Sequence, residues 1–356
     1  MTRKIIVVAG VERSGTTLAQ HLLAGHSELA FVSGELTGFS ELRILSRETG
    51  IRQPRSSSDM ERLVEALLRR AKLLLGSLDI AAAKSLAQRY PIAWDSLFLI
   101  FIEQISRQFP DKPIVVKHPA ADTKMRMVHR LLSKYHWDSR FLYMVRNPLD
   151  VYRSYRNRVQ VWKSGFAHTD TLSQCGRWMD STSHALEFER LYSEAIRIVR
   201  YEDMVADPVA TCRKLCNWMG IKDEADALVH RDLGVNSSFA LDHVKPAQGG
   251  VLDFSDRPQE ELSAAELELY QVACGDRAKR FGYQLGEPRT DPRNYEYLDQ
   301  HMSLSRLHAR EYVNFLWRDL RRRSVRMLLT AYSMLTRKHT TLQLKVTPGP
   351  PPPAER

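Results

Sequence analysis

Arg13, Ser14, Gly15, Thr16 and Thr17 stand together between a short apolar run, Ile5 to Ala9, and a segment with leucines at 18, 22 and 23. An arginine, three hydroxyls and a glycine backbone are groups that bind an anion. The β-branched run reads as a buried parallel strand, and the leucine spacing as a helix with one apolar face. Strand, glycine turn and helix aim backbone N–H groups and a helix N-terminus at one point. Gly10, Gly15 and Thr17 match the spacing of the nucleotide P-loop, G-x-x-x-x-G-K-[ST], but Thr16 occupies the lysine position. That lysine serves the β- and γ-phosphates of a nucleoside triphosphate, so its loss argues against ATP or GTP. Arg13 puts a positive charge inside the loop instead. The turn suits a phosphate group without a triphosphate tail.

A second group follows another apolar run, Phe141 to Val145: Arg146-Asn147-Pro148-Leu149-Asp150, then Ser154. A third is Val199-Arg200-Tyr201-Glu202-Asp203. Together they resemble the sulfotransferases that use 3′-phosphoadenosine 5′-phosphosulfate (PAPS). The first group is similar to the 5′-phosphosulfate loop of that family, the second to its 3′-phosphate motif, and the third to the segment ending a later core strand. The resemblance runs from residue 3 to 285, closing near Phe281-Gly282-Tyr283.

That resemblance implies roles. Arg13 would meet the charge on the leaving phosphate, where a planar, always charged guanidinium is suited to phosphate oxygens. Ser14, Gly15, Thr16 and Thr17 would line the 5′-phosphate. Arg146 and Ser154 would bind the 3′-phosphate, with Asp150 capping or orienting. Tyr201 would contact the adenine, or else is a half-buried strand-end tyrosine. Lys245, before Pro246, resembles a late lysine-proline of tyrosylprotein sulfotransferases that reaches the nucleotide. The arginine-lysine-glycine ending of the cytosolic small-molecule subgroup is absent. Glu12 departs from the proline common before the loop arginine, and either weakens phosphate binding or orients Arg13.

Two residues compete as general base. Glu35 follows the second strand and resembles a glutamate of tyrosylprotein and many bacterial sulfotransferases. His118 lies in Val116-Lys117-His118-Pro119, one residue after the lysine, whereas the cytosolic subgroup has its histidine two residues after. One residue along an extended chain turns a side chain to the other face. Either group can serve as base, with its pKa set by burial; Glu35 is favoured.

These groups need a frame. Apolar runs at 5–9, 29–32, 114–117, 141–145 and 196–200 alternate with helical patterns. This predicts an α/β fold, a three-layer arrangement about a central parallel sheet of about five strands. The resemblance implies the same P-loop-like core. In such sheets ligands gather at the carboxyl ends of the strands, where Glu35, Lys117, His118 and Arg146 fall. Helices are expected over 59–75, 94–109, 122–134, 150–162, 169–194 and 208–218, and from a capping box at Ser263 to Arg280. Asp207 is the expected N-cap and Gly220 the stop of the helix that Pro208 opens. The helical insertion 36–110 either covers the acceptor side of the cleft or only caps the sheet.

The chain has 356 residues, 43% hydrophobic and 26% charged, enough to fill one large core. Met1 to Val11 mimics a signal peptide, but the apolar run breaks at Glu12-Arg13, and a first core strand is the better reading. Four cysteines without metal spacing suggest reduced thiols, a cytoplasmic location and no metal. The formal net charge of +10 suits a polyanionic ligand or an acidic membrane surface. No nucleic-acid-binding module is recognisable.

The domains expected are 1–285 for the sulfotransferase core, 286–345 for a basic helical C-terminal extension, and 346–356 for a proline-rich disordered tail. Leu304 to Leu335 pairs a broad apolar face with six arginines between 310 and 326. Such a helix packs on its own domain, pairs with a second subunit, or lies on an anionic membrane surface, which would make the enzyme peripheral to the membrane. The acceptor expected is a hydroxyl on a carbohydrate or glycolipid; peptide tyrosine and a small natural product stay open. Two rival readings are a nucleotide kinase of the same architecture and a non-catalytic anion-binding scaffold.

Overall fold

The computed structural model describes residues 3–35, 45–75, 79–118, 121–162, 171–230 and 261–288. Lys245, the loop around it, and the extension and tail beyond residue 288 lie outside the described residues.

Five strands form one all-parallel sheet: β1 (Arg3–Gly10), β2 (Ala30–Glu35), β3 (Ile114–Lys117), β4 (Trp137–Val145) and β5 (Ile196–Arg200), in the order β2-β3-β1-β4-β5. The expected runs are all present. β4 starts four residues earlier than its continuous apolar run, because Trp137-Asp138-Ser139-Arg140 alternates buried and half-buried side chains before the fully buried Phe141 to Val145. The central strand β1 is apolar on both faces, and Ile5 to Ala9 are wholly buried. That is what a parallel strand covered by helices on both sides requires.

Side-chain alternation divides the core in two. Ile5, Val7 and Ala9 face one helical layer with Phe141, Tyr143, Ile114 and Val116. This layer contains α2 (Ser57–Leu75), α3 (Ile80–Ala87), α4 (Trp94–Gln108), α5 (Met125–Lys134), α7 (Thr171–Leu191) and α11 (Ala264–Lys279). Ile6 and Val8 face the other with Leu142, Met144 and Val115. That layer holds α1 (Thr16–Leu23), α8 (Tyr201–Ala206), α9 (Pro208–Met219) and α10 (Ala225–His230). A further helix, α6 (Pro148–Trp162), leaves the end of β4. The result is the expected three-layer α/β fold.

Local signals explain several boundaries. The Asp207 carboxylate accepts from Ala210 N–H, Pro208 begins α9, and Gly220 ends it at φ 68°. Ser263 and Glu266 form the reciprocal capping box that opens α11. Three segments differ from expectation. Residues 122–124 form turns, so α5 starts at Met125. Tyr201 begins a helix rather than ending a strand. The alanine-rich α3 has too few large apolar residues to show a periodic face, though Asp79 caps it through Ala82 N–H. All four cysteines are buried free thiols, and Cys212 and Cys216 pack in the core. Among the described residues no helix is long and apolar enough to cross a membrane.

Candidate active site

The register of the sheet brings the chemical residues to one edge. Gly10 lies opposite Met144, Val8 opposite Lys117, Lys117 opposite Glu35, and Val145 opposite Arg200. The β1–α1 loop therefore emerges at the centre of the sheet. It is flanked by the ends of β3 and β2 on one side and of β4 and β5 on the other. Ligands of open α/β sheets bind along this edge.

The loop has an unusual backbone. Gly10, Arg13 and Gly15 have φ of 147°, 72° and 90°. For arginine a left-handed conformation is costly, on the order of 1 kcal/mol, and it persists only where the surroundings hold it. Here they do. Arg13 Nε donates to Ser154 Oγ at 3.0 Å, Arg146 Nη1 donates to the Arg13 carbonyl at 3.3 Å, and Ser14 N–H donates to the Val11 carbonyl at 3.1 Å. Arg13 thus meets Ser154 across 141 positions of sequence and Arg146 across 133.

Gly15 caps α1 with no side-chain hydrogen bond, and the first turn carries no acid. The N-terminal N–H groups and the positive end of the helix dipole are left facing the loop. A Cβ on Gly15 would lie 2.5 Å from the Tyr201 ring. Tyr201 is 8% exposed, and the Arg146 guanidinium stacks on it at 4.2 Å from the ring centroid. Its ring supports Gly15 and Arg146 from below. Trp178, 1% exposed, donates from Nε1 to the Arg146 carbonyl at 3.0 Å. A buried tryptophan is worth about 3–5 kcal/mol against alanine, so this anchor is firm.

Two buried polar atoms in this cradle, Ser14 Oγ and Arg146 Nε, have no hydrogen-bond partner among the described residues. A buried donor without a partner is costly, and a phosphate oxygen is a suitable acceptor for both. The residues present therefore fit the anionic ends of a nucleotide such as PAPS.

The sequence marks Lys117 only as a strand-end residue, yet the fold brings it to the loop. It is 5% exposed, and its Nζ donates to Thr17 Oγ1 at 2.8 Å. An ammonium from β3 thus stands beside the loop whose own lysine position is threonine. Its field is felt at His21 on α1, whose pKa is lowered by burial and, second, by Lys117. A strand-end lysine beside an anion loop is the signal that could have found it.

His118 points the other way. It is 1% exposed, and its ring lies 6.5 Å from that of Phe98 on α4. Burial, with Lys124 second, pushes its pKa down to about 4, so it is neutral at pH 7. Adjacent residues on a strand face opposite sides, and Lys117 and His118 do so here. Glu35 is the last residue of β2, level with Lys117.

One expectation is corrected. Asn147, not Asp150, caps α6: its Oδ1 accepts from Leu149 N–H at 3.0 Å, while Asp150 pairs with Arg153 at 2.9 Å. Glu12, just before Arg13 in the loop, pairs with Arg177 at 3.3 Å. In the third motif, Glu202 ties two segments together. Glu202 accepts from Asn147 N–H at 3.0 Å and from the Tyr283 hydroxyl at 2.7 Å, joining the β4–α6 turn to the end of the domain.

Comparison with known proteins agrees with this fold. The family model described as "Sulfotransferase family" matches residues 5–225. The sulfotransferase domain of the Synechococcus PCC 7002 olefin synthase superposes with a TM-score of 0.51 at 21% identity, covering 80% of this chain and 96% of that domain. The sulfotransferase domain of the curacin biosynthetic pathway gives 0.48 at 21% identity, covering 80% and 99%. At such identities the likeness is one of fold, and it rests on the first of the two. No curated protein matches the sequence.

Proposed function

This chain belongs to the sulfotransferase family, a PAPS-dependent enzyme class, and from that premise we propose how its residues divide the work of sulfuryl transfer. Arg13 and the backbone from Ser14 to Thr17 hold the 5′-phosphosulfate and neutralise charge on the departing phosphate. Lys117 adds a second positive charge through Thr17. Arg146 and Ser154 hold the 3′-phosphate, and Tyr201 braces Arg146 against the loop. Glu35 takes the proton from the acceptor hydroxyl, and the acceptor is a carbohydrate or glycolipid. PAPS supplies the activated sulfuryl group; the chain's own task is to hold donor and acceptor in line and to receive the proton.

The observation that carries this reading is the hydrogen bond from Arg13 to Ser154, with Arg146 reaching back to the Arg13 carbonyl. It joins the two phosphate motifs into one cradle. The choice of Glu35 over His118 is supported by the burial and low pKa of the histidine, packed toward Phe98 and away from the Thr17 side.

The test has two arms. Acceptor pools of saccharides, glycolipids, tyrosine peptides and small alcohols are incubated with labelled PAPS, and products are read by mass spectrometry. A sulfated carbohydrate is expected; a sulfated peptide instead would replace the acceptor assignment. With the acceptor in hand, Glu35→Gln should lower kcat by about two to four orders of magnitude. His118→Asn should cost less. The reverse order would transfer the role of base to His118.

A further inference from the structure

Next to the phosphate loop lies a charge cluster that the assignment above leaves unused. Arg177, on α7, is held between two carboxylates from different parts of the chain. Its Nε lies 3.3 Å from Glu12 Oε2 and its Nη2 donates to Glu12 Oε1 at 3.4 Å. Its Nη1 lies 2.6 Å from Oδ2 of Asp122, a fully buried residue just past β3. Burial alone would lower the pKa of Arg177, yet the two carboxylates outweigh it and raise it. Glu12 is the residue immediately before Arg13, and Arg13 is the loop residue held at φ 72°.

Building on the donor-site assignment, we infer that Arg177 is a positioning residue for sulfuryl transfer: it clamps Glu12 against Asp122 and so holds the left-handed loop in the conformation that presents Arg13 to the 5′-phosphate. Arginine suits this task because its planar fork reaches Glu12 through two nitrogens while a third meets Asp122. A lysine could neutralise Asp122 but could not make the two-point contact with Glu12. The half-exposed Glu12 is the adjustable end and the buried Asp122 the fixed end. An acid beside a phosphate site would repel the ligand, and Arg177 also cancels that charge.

Three variants test this: Glu12→Gln, Arg177→Lys and the double variant. Affinity for adenosine 3′,5′-bisphosphate (PAP) is measured by calorimetry, and Tm without ligand is measured alongside. Each single variant should weaken PAP binding about tenfold, the scale of a loop displaced by a fraction of an ångström. Tm should stay near that of the parent, because both variants leave Asp122 with an amino-group or guanidinium partner. The double variant should be no weaker than either single one, since both remove the same contact. Unchanged affinity in Glu12→Gln would overturn the inference. So would additive losses, or a loss of affinity that appears only with a large fall in Tm, which would make the cluster structural. Should Arg177→Lys not fold, the same inference stands or falls on Glu12→Gln alone, by affinity against Tm. Failure of the parent protein to bind PAP would instead overturn the donor-site assignment.

Discussion

The β1–α1 loop and the β4–α6 turn both leave neighbouring parallel strands at the same edge, and both open a helix, but they prepare for an anion by opposite means. In the first, Gly15 caps α1 without a side-chain bond and no acid stands in the first turn. The backbone is a binding group beside the Arg13 side chain. In the second, Asn147 caps α6, Pro148 has no N–H to offer, and Asp150 occupies the first turn. That helix terminus is already satisfied, and the acid there disfavours a second negative charge. Binding at this turn has to come from side chains, Arg146 and Ser154. At the first turn an open helix terminus adds backbone donors to the side chains; at the second only side chains are left to meet the anion.

Opposite sensitivities follow. The largest effect is expected where a Cβ is added to the first turn. In Gly10→Ala it would fall 2.4 Å from the Met144 carbonyl oxygen, at φ 147°. Backbone of the neighbouring strand cannot yield cheaply, so the fold should lose about 3 kcal/mol or more. Thermal unfolding should show a fall in Tm of roughly 10 °C. A Gly10→Ala protein with unchanged Tm would remove the claim that the first turn is conformationally dictated.

Next come truncations at the second turn. Arg146→Ala should raise the Kd for PAP about a hundredfold, the value of charge-assisted hydrogen bonds to one phosphate. Ser154→Ala should raise it only about fivefold, as for one neutral hydrogen bond. Titration calorimetry measures both. If Ser154→Ala proved the costlier, the serine would matter chiefly as the partner that holds Arg13, and the second turn would be acting through the first.

Much of this contrast could be read from residue order, and the reason is locality. Gly10, Arg13 and Gly15 lie within one turn, and the five strands announce themselves as short buried runs. The caps at Asp207, Gly220 and Ser263 are set by residues within four positions of the helix end. What could not be read is contact between distant segments. Arg177 meets Glu12 across 165 positions, and Lys117 meets Thr17 across 100. Neither pairing follows from spacing; both need the strand order β2-β3-β1-β4-β5, which puts β3 and β4 on either side of β1. Asn147 and Asp150 are both good capping residues, and the bond from Leu149 N–H to Asn147 Oδ1 decides between them. His118 is the middle case. Its offset by one residue from the expected spacing predicts the opposite face, and there it lies against Phe98.

The smallest effect should be the most selective. Asn147→Ala removes the side-chain cap of α6 while leaving Arg146 and Ser154 intact. The Leu149 N–H loses its acceptor, at a cost of about 1 kcal/mol. In a domain of this size that lowers Tm by about 2–4 °C. The Asn147 N–H to Glu202 bond involves only the backbone on the Asn147 side, so it survives the substitution. PAP affinity should therefore remain within about twofold of the parent, since the bond that is lost, about 1 kcal/mol of capping, touches no phosphate ligand. The Leu149 N–H, once uncapped, provides the internal control. If the second turn bound its anion through backbone donors as the first does, freeing that N–H would tighten PAP binding. An increase in affinity alongside the fall in Tm would show the two turns to be variants of one device, and the contrast between backbone and side-chain binding would be lost. A fall in Tm with affinity unchanged would leave Arg146 and Ser154 as the groups that meet the 3′-phosphate.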